Sequence, residues 1–152
     1  INALMAANIL VVPIPPSLLD FASSAQFWRL YLDFAEPIRK ARGVEKSYDF
    51  INVLMTRVDN QESMSAEVRR WIMNGYGDGV LPIEIPKTSI ASTASSQFGT
   101  VYDVSESLSG SKTWKRAYDA YERFVELMEE QIVSTWAHKA EAAKELAKGI
   151  KK

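Results

Sequence analysis

Apolar residues follow two rhythms along this chain. Consecutive apolar runs occur at 9–13 (ILVVP), 50–55 (FINVLM) and 80–85 (VLPIEI). Their length and Val/Ile content predict strands covered on both faces. Elsewhere apolar residues recur every three or four positions, as on one side of a helix. The first such stripe takes in Leu18, Phe21, Ala22, Ala25, Trp28, Leu32 and Ala35. Ser17, with Asp20 three residues on, forms a capping-box-like start for it. Pro37 is expected to kink or end this helix, and Gly43 to stop it. A shorter helix, capped by Ser63 or Ser65, is expected through Trp71 and Ile72, with Gly75, Gly77 and Gly79 ending it. Ser-rich residues 90–97 read as a loop or a short helix, and 98–104 as a turn with a short extended piece. Ser111 then caps a long helix reaching toward Lys148. Its apolar positions, Trp114, Tyr118, Tyr121, Val125, Met128 and Ile132, alternate in spacings of four and three. Such a seam suits either a long helix packed across a sheet or a short coiled coil.

Strand alternating with helix predicts an α/β fold with a parallel sheet, here as a single domain over 1–152. In such sheets ligands sit beyond the carboxyl ends of the strands. The places to look for function are therefore the three strand exits, 13–16, 56–60 and 86–89. At the first, Pro15 and Pro16 have no amide hydrogen to offer. That exit reads as a rigid wall beside a ligand or an interface.

Composition narrows the chemistry. Of 152 residues, 47% are apolar and 24% charged, ordinary for a globular chain. The formal net charge is −1, so only local clustering would make a basic face. With no cysteine, disulfides, thiolate metal sites and cysteine nucleophiles are excluded. No apolar run is long enough for a membrane span. The chain opens on Ile1, and residues 2–7 read as entered mid-helix, as expected of a fragment.

Tests of the common constellations are mostly negative. His138 is the sole histidine and lies among Lys and Glu on the final helix, which speaks against a triad or a histidine metal site. The glycine-rich stretch 74–79 follows a helix and opens a strand, the reverse of a phosphate-binding loop. Asp59, Glu62 and Glu67 match no metal-ligand spacing and read as acids at a helix start. Asp20 suits a cap as well as a water-orienting carboxylate. Arg69, Arg70, Lys87, Lys112, Lys115 and Arg116 are the basic residues nearest strand exits and helix starts; clustered, they would bind DNA without reading its sequence.

NALMAANILVVPIPPSLLDFASSAQF resembles the segment after the Walker B motif in ParA-type partition ATPases, of the ParA/MinD deviant Walker A group. MTRVDN resembles that family's strand exit near the adenine ring. The stretch VLPIEIPKTSIASTASSQFGTVYDVS is similar to its IPR…APSFG…YD segment, and TWKRAYDAYERFVELMEEQI to its closing helix. The resemblance covers nearly the whole chain, and its most specific parts are NALMAA and VPIPPSLLDF. It implies a partial P-loop NTPase fold, the C-terminal part of an ATPase that uses ATP and Mg, dimerises and binds DNA nonspecifically. It also implies a centromere-binding ParB-like partner and a cytoplasmic, nucleoid-associated setting in bacteria. Carried over residue by residue, Thr56, Arg57 and Pro86 would face the base, and Lys87, where the family has arginine, would contact DNA; Arg69 and Arg70 match no family motif and join Lys87 as expected DNA contacts through their positive charge alone. Asn8 departs from the family's aspartate. No catalytic residue is assigned. Walker A and Walker B are absent from these residues, so the chain alone is expected to bind no ATP or Mg and to hydrolyse nothing. The competing expectation is a noncatalytic α/β interaction domain that binds itself or a partner through the long aromatic helix.

Overall fold

The computed structural model describes residues 2–43, 48–104 and 111–150. Three parallel strands form one sheet in the order β1-β2-β3: β1 Ile9–Ile14, β2 Phe50–Val58 and β3 Val80–Pro86. The helices are α1 Asn2–Ala6, α2 Leu18–Leu30, α3 Glu36–Ala41, α4 Ser63–Tyr76, α5 Ser89–Ser96 and α6 Ser111–Ile150. A π-helical turn, Tyr31–Ala35, joins α2 to α3, and a short 3₁₀ turn, Gly77–Gly79, leads into β3. The architecture is the α/β fold that the alternating pattern predicts. The chain divides into two compact units, Ile1–Ala120 and Tyr121–Lys152. The first holds the sheet. Among the described residues the second consists of α6 from Tyr121 onward, with no residue fully buried.

Alternation along the strands builds the core. Val12 pairs with Val53 and Ile14 with Met55, so all four lie on one face of the sheet. Val68 and Ile72 of α4, both fully buried, pack there, joined by Phe21, Phe27 and Trp28 from α2. Beside this cluster Tyr31, Ala35 and Tyr48 pack against Leu4 and Ala7. Arg39 is buried there too; it donates to the carbonyl of Leu4 at 2.7 Å and stacks over the Tyr48 ring at 4.3 Å. Its charge thus meets the carbonyl end of α1, where a cation is favoured.

Ser17 caps α2 as expected, accepting from the Asp20 amide at 3.2 Å and bonding its carboxylate through the hydroxyl. The predicted stripe needs correction. Leu18 and Leu32 are more than half exposed, whereas Ser24 and Tyr31 are buried. Ser24 is tolerated because its hydroxyl donates to the Phe21 carbonyl and bonds Tyr76 Oη at 2.9 Å. The π turn, with Glu36 N–H bonded to the Tyr31 carbonyl, inserts one residue and rotates the faces beyond it. It also lets the helix continue through Pro37, whose ring would clash with the carbonyl of Asp33 in a regular α-helix. Gly43 ends the segment with φ 72°.

Two further expectations are corrected. Neither Ser63 nor Ser65 caps α4: Glu62 is its N-cap, and Ser65 is buried within the helix. Gly75 lies inside α4, which ends at Gly77 with φ 52°. Residues 89–96 are helical, and the 98–104 segment is turns without a strand. The expected cap at Ser111 concerns a side chain outside the described residues.

Candidate strand-end site

The carboxyl ends of β2 and β3 lie side by side. Val58 is opposite Pro86, and the Lys87 amide donates to the Val58 carbonyl at 2.9 Å. The approach to this point is irregular. Four residues of β2, Met55 to Val58, lie opposite three of β3, Glu84 to Pro86. The extra residue is accommodated at Arg57, whose φ is 53°. The bulge resets the alternation, so Val58 is buried in the same cluster as Val53 and Met55 while Arg57 is exposed. A left-handed conformation at a non-glycine residue costs on the order of 1 kcal/mol or more. Thr56, Arg57, Pro86 and Lys87 are thus brought to one end of the sheet.

Two of the cations there, Lys87 and Arg69, are engaged by carboxylates. Lys87 Nζ lies 3.3 Å from Asp59 Oδ2 and 3.2 Å from Glu62 Oε1. Asp59 Oδ1 accepts the Gln61 amide at 3.0 Å. That amide first, and Lys87 second, hold the Asp59 carboxyl below the usual carboxylate range; Glu62 and then Asp59 raise Lys87. Arg69 donates to both oxygens of Glu84, at 2.8 and 2.5 Å, and to Asn60 Oδ1 at 3.0 Å. Arg116, near the start of α6, donates to the Lys87 carbonyl at 3.3 Å. Arg70 is exposed on α4. The structure therefore gathers Arg69, Lys87 and Arg116 with Asp59, Glu62 and Glu84. Lys112 and Lys115 are exposed on α6, where Lys115 pairs with Asp119.

The chain is similar to protein SopA of Escherichia coli strain K12. The two are 26% identical over 124 residues, which is 80% of this chain and 31% of SopA. A protein of Rhizobium rhizogenes described as "Putative replication protein A" is 25% identical over 136 residues, 90% of this chain and 33% of that protein. One of the same description from Sinorhizobium fredii is 26% identical over 139 residues, 91% of this chain and 34% of that protein. The chain thus spans about a third of the length of these relatives. No family model matches it. A SopA match over four-fifths of the chain necessarily takes in β2, α4 and β3, the elements that build the strand-end cluster.

The other strand exit differs. An apolar groove of about 350 Å³ runs along β1 and α2, lined by residues 10–15 together with Asp20, Ser24 and Phe27. Pro13, Pro15 and Pro16 leave it few backbone donors. Among the described residues no group of three or more His, Cys, Asp or Glu side chains is arranged to hold a metal ion. His138 sits exposed on α6, its Nδ1 2.7 Å from the Ser134 carbonyl. No helix among the described residues is long and apolar enough to cross a membrane. Glu84 was the residue sequence reasoning missed; its signal is a lone acid within the apolar run VLPIEI.

Proposed function

We propose that this chain is the C-terminal part of a ParA-type partition ATPase, which dimerises with ATP and binds DNA nonspecifically to segregate plasmid or chromosome DNA. The observation that carries this reading is the similarity to SopA across β2, α4 and β3, the elements whose ends bring Thr56, Arg57, Pro86 and Lys87 together. In this reading Pro86 and the bulged Thr56–Arg57 segment form the wall against the adenine ring. A planar guanidinium and a proline ring suit a base face. The same junctions do not fit the phosphates: the β2 exit presents Asp59 and Glu62 to an anion, and the β1 exit presents prolines. Residues of the full-length protein outside this chain would supply the phosphate and metal contacts, so the chain alone is inactive. Lys87 and Arg70 would reach DNA, with Arg69 fixing the α4 surface behind them. A ParB-like protein would be the partner, and the bacterial nucleoid the setting.

A second reading is a noncatalytic interaction domain working through α6. Val133, Trp136 and Leu146 are each more than 60% exposed on that helix, which favours it. Calorimetric titration of the full-length protein with Mg-ATP separates the two. Binding that weakens in Arg57→Ala supports the ATPase reading, and no binding by the unaltered protein contradicts it.

A further inference from the structure

We propose that Glu62, assisted by Asp59, sets the strength of DNA binding by competing with phosphate for Lys87. The inference rests on the reading of Lys87 as a DNA contact and concerns how that contact is regulated.

The two ion pairs at this end of the sheet differ in kind. Arg69 and Glu84 meet two-pronged, with side chains only 30% and 28% exposed. Such a pair is oriented and hard to exchange. Lys87 has three rotatable donors on a flexible stem. Its side chain is 49% exposed and that of Glu62 58% exposed, and both of its contacts are longer than 3 Å. Exposed pairs of this type are weak and screened by salt, so their partners exchange readily.

A DNA phosphate arriving at Lys87 must displace a carboxylate and approach its charge. Asp59 is tethered by the Gln61 amide. Glu62, at the N-cap of α4 with no cap bond of its own, is the freer competitor. Arg69, Lys87 and Arg116 are matched by Asp59, Glu62 and Glu84, with Arg57 exposed at the same end of the sheet, so little net positive charge is left there. One copy would hold DNA weakly, and engagement of two copies at once would multiply the affinity.

The test uses the full-length protein with Mg-ATP and a fluorescent duplex of random sequence, titrated by anisotropy over a range of salt. Glu62→Gln is expected to tighten binding about two- to fivefold at low salt, the size set by an exposed ion pair. Glu67→Gln, which changes the net charge equally at an exposed α4 position outside Lys87's contacts, is expected to do less. In a Lys87→Ala background the Glu62→Gln gain should vanish. Equal gains from both glutamine variants, or none, would overturn the competition. Unchanged affinity and salt slope in Lys87→Ala would instead overturn Lys87 as a DNA contact, and the competition with it.

Discussion

Arg69 and Glu84 form a two-pronged ion pair that joins α4 to β3, and Asn60 takes a third donor of the same guanidinium. Its position beside the strand ends makes Arg69 a support for the site more than a free cation. Arg69→Glu is expected to destabilise the fold by about 2 kcal/mol, because it sets two carboxylates against each other. The exchange Arg69→Glu with Glu84→Arg should recover most of that loss. Urea unfolding of the single and double variants measures both, and a double variant no better than the single one would exclude the pairing.

Arg57 holds a left-handed backbone at the bulge that returns Val58 to the core. Glycine adopts that conformation without the Cβ penalty. Arg57→Gly should therefore leave the melting temperature unchanged or raise it, while Arg57→Val lowers stability by about 1 kcal/mol or more. Were Arg57→Gly clearly destabilising and Arg57→Val neutral, the strain assigned to this residue would not exist.

Asp59 is held below its ordinary value, so it stabilises the fold at pH above its unfolded-state value. That contribution is lost as pH falls through the folded-state value, below about pH 4. Asp103, held down by the Thr100 amide and hydroxyl, acts in the same window. Lys87 is raised, so its contribution is present below its unfolded-state value and is lost as pH climbs above about 10. Urea midpoints measured between pH 5 and pH 3 should fall less steeply in an Asp59→Asn, Asp103→Asn double variant than in the unaltered protein. Parallel slopes would show that neither carboxylate is linked to folding.

Ile72 and Val68 are the fully buried residues by which α4 seals the sheet. Ile72→Ala should cost about 3 kcal/mol through lost burial and the cavity left behind. Leu19→Ser, at a position 77% exposed, should change stability by less than about 0.5 kcal/mol. Thermal unfolding compares the two, and similar losses would misplace the core.

The three strands and the parallel α/β architecture were legible because apolar runs bounded by Pro and Ser signal buried parallel strands locally. What failed was set by neighbours. The stripe through Leu18 and Leu32 assumed that apolar residues face inward, whereas the buried face of this helix takes in Ser24 and Tyr31, two turns apart, and leaves Leu18 and Leu32 outside. Ser24 lies inside because Tyr76, on α4, accepts its company. At this strand end, Pro86 and Lys87 were readable from their place at the close of β3. Their carboxylate partners were not, since Asp59 and Glu62 lie 28 and 25 residues away in sequence and meet Lys87 only once β2 and β3 pair.

The most direct measurement is the affinity of the full-length protein for nonspecific duplex DNA, with and without Mg-ATP, before and after changing Lys87 and Arg70 together to Glu. The expected result is ATP-dependent, salt-sensitive binding that the double variant loses while still binding ATP. DNA affinity at low salt that is unchanged in the double variant, or that is indifferent to ATP, would contradict a partition ATPase acting through this face.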